Sequence, residues 1–100
     1  MPEDPLAAMS QIDPQAVQRM RGIDEWVFAD GALSRKVKLL MAMAFDAADG
    51  APGGVRGLAH RAMTAGATKE EIGETLRVAW LMKGVGSLYI ASEGLKDLAR

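Results

Sequence analysis

The chain has no cysteine, a single histidine, only five aromatic residues among 100, and no long apolar run. Without cysteine there is no disulfide framework, thiolate metal site or thiol redox chemistry. One histidine with scattered carboxylates lacks the ligand spacing of ordinary metal sites, unless symmetry gathers His60 from several chains. No cofactor is therefore expected. Lys and Arg number 12 against 13 Asp and Glu. Both signs are dispersed, which leaves no electrostatic footprint for nucleic acid or an anionic membrane. No apolar run approaches the roughly 18–20 residues of a membrane span. The opening MPEDPLAAMS is acidic and lacks the basic and apolar regions of a signal peptide, so a cytoplasmic location is expected. No strand-like alternation occurs, and the GAPGG stretch therefore has no strand–turn–helix context for nucleotide phosphates.

Apolar residues make up 49% of the chain and include seven Met and two Trp. One hundred residues hold one core, and a chain this short buries a limited fraction of its surface. The apolar content exceeds what a small monomer hides easily, so a homo-oligomer is expected, with interfaces that absorb the excess.

The pattern reads as an all-α fold of about five helices: an N-terminal arm over 1–12, then a single helical domain over 13–100. The arm carries Pro2 and Pro5 and at most a turn of helix. Asp13-Pro14 is a helix start, with Asp as N-cap and Pro at the first helical position. That helix runs to Ala29, and Asp30-Gly31 ends it with glycine free to take positive φ. Ser34 caps the next helix, which continues to Asp49. Its expected core stripe is Leu33, Val37, Leu40, Met41 and Ala44. Lys36 and Lys38 sit near its N-terminus, where the helix dipole does not favour cations. Gly50 to Gly54 reads as a flexible connection.

The next helix carries Val55, Leu58, Ala59, Ala62 and Met63 at helical spacing, and Gly66 closes it. Thr68 and Glu71 match a capping box. Ile72, Leu76 and Ala79 form one seam beyond it, and Thr75, Val78 and Met82 a second, so this helix requires cover on several faces. Glu74 is expected to pair with Arg77 or a lysine. Gly84 and Gly86 mark a break or a close crossing before a last helix from Ser87 to about Leu98.

Four pieces in this order carry a resemblance: DGALSRKVKLL, the histidine of LAHRAMTAG, the GATKEEIGE cap and the late LMKGVG. The ordering H-x5-G-A-T-x-E-E-I-x-E is the specific part. It resembles the carboxymuconolactone decarboxylase and alkyl hydroperoxidase D-like family over roughly residues 25–95. The resemblance implies an all-α domain assembled as a homotrimer or homohexamer, with sites near subunit interfaces. The peroxidase branch of that family uses C-x-x-C-x-x-x-H with an upstream Glu. Here Gly53 and Arg56 stand at the two cysteine positions and Leu39 at the acid. A thiol peroxidase needs a thiolate, so that chemistry is excluded. The decarboxylase branch likewise lacks the cysteine pair and keeps the histidine.

Two roles fit His60. As a general acid or base near neutral pH, it is the candidate catalytic residue. As a boundary residue bonded to a neighbouring helix, it is structural. Helical spacing sets Gly53, Arg56 and His60 on one stripe. Arg56 is thereby a candidate to hold a substrate carboxylate, or else a solvated first-turn arginine. Asp46, two turns after Leu39, is a candidate carboxylate in place of the lost acid, or a plain helix-end acid. The resulting expectation is an acid/base enzyme of decarboxylase or isomerase type acting on a small carboxylated, lactone-like molecule. The alternative is a non-catalytic oligomeric relative that kept the fold.

Overall fold

The computed structural model describes residues 4–98. Six helices follow in order: α1 (Ala7–Ile12), α2 (Pro14–Val27), α3 (Arg35–Ala48), α4 (Pro52–Thr64), α5 (Lys69–Lys83) and α6 (Gly86–Leu95). No strand is present among the described residues. The five expected helices are α2 to α6. The sixth, α1, lies in the segment read as an arm, whose residues 1–3, including Pro2, fall outside the described residues.

Local signals start these helices as their chemistry requires. The Asp13 side chain accepts from the Ala16 N–H and Pro14 follows at the first position of α2. Ser34 accepts from the Val37 N–H. Thr68 and Glu71 form a reciprocal capping box at α5, which satisfies two otherwise orphaned N–H groups. Helix α4 ends in a Schellman turn: Gly66 has φ of 103°, its N–H reaches Met63 O, and Ala67 N–H reaches Ala62 O.

Two local expectations are corrected. Proline and both glycines of Pro52-Gly53-Gly54 are the first turn of α4, because proline pre-sets helical φ at that position. Only Gly50 and Ala51 connect α3 to α4. Helix α2 ends at Val27, and Gly31 is not among the positive-φ glycines. Its end is closed by Lys38, whose Nζ donates to Val27 O at 2.9 Å and Ala29 O at 2.7 Å. The cation that its own helix dipole disfavours thus serves the negative end of α2. Of the two roles expected at Gly84, the break is the one found: its φ is 96°, and a Cβ there would meet nothing within 4 Å. The close crossing is at Gly94, where a Cβ would lie 2.6 Å from Pro52 O and 2.9 Å from Val55.

Helix α3 packs on α4, α5 and α6, and α6 also packs on α4 and α5. The core joins Leu39, Leu40, Met43 and Ala47 of α3 to Val55, Ala59 and Ala62 of α4, Ile72 and Leu76 of α5, and Ala91 of α6. The expected core stripe of α3 was therefore right at Leu40, which is buried, and off in phase elsewhere. Leu39 and Met43 are fully buried, whereas Leu33, Val37 and Met41 are exposed. A helix apolar nearly all round carries no unique phase, and its packing partners choose the buried face. The seam of Ile72, Leu76 and Ala79 is buried as expected, while Val78 and Met82 beside it are exposed.

Candidate functional site

Helix α4 divides its faces sharply. Val55, Ala59 and Ala62 point into the core. Gly53, Arg56, Gly57, His60, Arg61 and Thr64 line an open groove on the other side. The rest of its wall comes from the α1–α2 hairpin, through Asp4, Leu6, Met20, Arg21 and Asp24, and from Arg35 at the start of α3. Along the floor, a Cβ at Gly53 or Gly57 would meet nothing within 4 Å. These two positions, four apart on one face, leave open space beside His60.

His60 is half-buried. Among the described residues no side chain or backbone group hydrogen-bonds its ring, and neither ring nitrogen is buried without a partner. Both nitrogens thus reach solvent in the groove. The only bond at this residue beyond the helix ladder is to its carbonyl, from Thr64 Oγ1 at 3.0 Å. A structural histidine bonded to a neighbouring helix would look different.

The groove is rich in guanidinium groups. Arg61 pairs with Asp24 through both Nη atoms, at 2.6 and 3.3 Å, and lies 4.9 Å over the Phe28 ring. Arg21 meets Asp4 at 2.7 Å. The Asp4 carboxyl is held below its ordinary range by the Leu6 N–H and then by Arg21. Arg56 pairs with Asp97 beyond α6 at 2.9 Å. Arg35 makes no ion pair among the described residues. Its Nη1 lies 3.4 Å from Phe28 O. Four arginines therefore line the groove against two aspartates, an excess of positive charge suited to an anionic ligand.

Of the three residues singled out from sequence, the fold brings His60 and Arg56 to one groove and leaves Asp46 out of it. The Asp46 carboxylate instead packs against Gly54, where any Cβ would collide with it. Burial, and then the nearby Asp49, push its carboxyl above the ordinary range. Leu39, at the position of the family's acid, lies within the core and not on the groove. Arg35, Arg61 and Asp24 went unnoticed in the sequence. They lie on three helices, and no spacing rule links residues across helices. Glu74 makes no ion pair among the described residues, while Glu71 meets Lys36 at 2.8 Å in addition to its cap. No three potential metal ligands converge among the described residues.

An all-helical body with a histidine on the groove side of its fourth helix defines a class of small α-helical domain. The sequence model of the carboxymuconolactone decarboxylase family matches residues 14–93, and the chain belongs to that family. Among solved structures it is similar to a carboxymuconolactone decarboxylase family protein from Legionella pneumophila, crystallised in its apo form. The two share 33% identity with a TM-score of 0.85, over 94% of this chain and 84% of the other. A search of curated proteins found no match.

Proposed function

We propose that the chain is an acid/base enzyme of decarboxylase or isomerase type, acting on a small carboxylated, lactone-like molecule. The observation that carries this reading is the unengaged His60 ring in a groove lined by four arginines. An imidazole is able both to accept and to deliver a proton. The guanidinium wall, to which Arg56 belongs, binds the substrate as an anion, and the empty positions over Gly53 and Gly57 make room for its ring.

For a decarboxylation the bond to the departing carboxylate breaks and CO2 leaves. The bonding pair passes into the conjugated lactone, and protonated His60 supplies the proton to the carbon left behind. In the isomerase version His60 removes a proton at one carbon and returns it at another. Neither version needs the thiols that this chain lacks.

Replacing His60 by Ala is expected to lower turnover of a carboxylated muconolactone by about 10²–10⁴-fold, the usual contribution of a positioned acid or base. Absorbance loss and CO2 release measure this, with peroxide as a negative control. Turnover unchanged in His60→Ala sinks the acid/base role. Absence of turnover in the wild type on any such lactone favours a non-catalytic relative.

We also propose that the working unit is a homo-oligomer, with a trimer or hexamer as the family resemblance implies. The chain exposes 6850 Å², on the order of 1,000 Å² more than the roughly 5,500 Å² expected for a folded monomer of its mass. Trp26 is 78% exposed, Leu81 81% and Tyr89 72%. This apolar surface is of the kind subunit interfaces cover. Mass measurement at micromolar concentration tests it, and a stable monomer overturns it.

A further inference from the structure

The groove's arginines are not equivalent. Arg56 is paired with Asp97, Arg21 with Asp4, and Arg61 with Asp24. Each must surrender or share a carboxylate before it binds another. Arg35 has no acid partner among the described residues. Its own N–H is already satisfied by Asp30 Oδ1 at 2.7 Å, so the backbone of the α3 start is fixed independently of the side chain. The guanidinium reaches toward the Phe28 carbonyl, at 3.4 Å. Arg61 lies over the ring of that same residue. Two guanidinium groups thus contact Phe28, one at its carbonyl and one over its ring, and Asp24 answers one of them.

We infer that Arg35 is the residue that holds the substrate's carboxylate, with Arg61 beside it. This assignment rests on the proposed reading of the groove and deepens it. It moves the anion anchor from Arg56, next to His60 in the sequence pattern, to the start of α3. A carboxylate at Arg35 makes a charge-assisted, two-pronged contact that displaces no internal ion pair. Asp24 is the built-in competitor: it neutralises Arg61 and repels an incoming anion. The site therefore selects a carboxylate over its ester, since only the anion completes the unpaired guanidinium.

The probe is paraconate, a saturated γ-lactone carrying one carboxylate, compared with its methyl ester by titration calorimetry on the full chain. Wild type is expected to bind paraconate at least tenfold more tightly than the ester. Arg35→Ala removes that preference and weakens paraconate at least tenfold, Arg35→Lys retains part of it, and Arg56→Ala weakens paraconate less than Arg35→Ala does. Asp24→Asn tightens paraconate several-fold by freeing Arg61. Circular dichroism establishes that the variants remain helical. Paraconate binding that survives Arg35→Ala, or that depends chiefly on Arg56, overturns the assignment. So does a wild type that fails to distinguish acid from ester. Turnover that persists in His60→Ala while binding still depends on Arg35 overturns the proton-transfer role and leaves this assignment standing.

Discussion

Helices α3–α6 and the α1–α2 hairpin are held in place by different physics. The body closes around Leu39, Met43, Val55, Ala59 and Ala62, each essentially free of solvent. Small residues bring its helices close, and at Gly94 no side chain would fit at all. In contrast, α1 buries no residue and α2 buries Val17 alone. Apart from Phe28, packed on the edge of the core, the hairpin is tied to the body by polar contacts: Arg61 on Asp24, Lys38 on the end of α2, and Arg35 on Phe28 O. Apolar burial is non-directional and cooperative across a core, whereas a few partly exposed ion pairs contribute little each. The groove runs between a rigid wall and a lightly fastened one. Its fastenings are made from the same arginines that line the groove.

The largest effect is expected in the body. Leu39→Ala empties a fully buried position and should cost about 2–5 kcal/mol. At roughly 4–8 °C per kcal/mol for a domain of this size, the thermal midpoint falls by 10 °C or more. A smaller loss would mean that α3 is less central than its contacts with α4, α5 and α6 indicate.

A smaller global effect and a larger local one are expected at the fastening. Arg61→Met removes the Asp24 pair while keeping an apolar group over Phe28. It should cost about 1 kcal/mol in the melt. Amide exchange in α2 should accelerate markedly while α3 and α4 remain protected, because the hairpin opens as its own unit. Uniform acceleration across all helices would erase the distinction between body and hairpin.

The smallest effect concerns the link between α3 and α5. Lys36, and then the Thr68 N–H, hold the Glu71 carboxyl below its ordinary range. A carboxyl with a depressed native pKa adds stability above its unfolded pKa, and this is lost as pH falls through the native value. Lys36→Met should therefore melt slightly below wild type at pH 7. The gap should persist through the ordinary glutamate range, near 4.3, and close only at lower pH, as the folded protein takes up the proton. A gap independent of pH would assign the effect of Lys36 to packing.

The starts of α2, α3 and α5 were legible in the chain because a cap is a local event. Asp13, Ser34 and Thr68 each bond an N–H three residues away, within reach of any reader of the sequence. The capping box next to the lone histidine likewise marked the family. The buried face of α3 was not legible, since Leu39, Leu40, Met41 and Met43 offer several apolar phases and only α4–α6 select among them. The distinction between Arg56 and Arg35 was equally hidden. One guanidinium finds Asp97, 41 positions away, and the other finds no acid among the described residues. Sequence by itself determined where α2, α3 and α5 begin, which chemistry the missing cysteines forbid, and that His60 shares a face with Gly53 and Arg56. Tertiary structure alone decided which charges neutralise one another, because Coulombic pairing depends on distance in space and helices fold distant positions together.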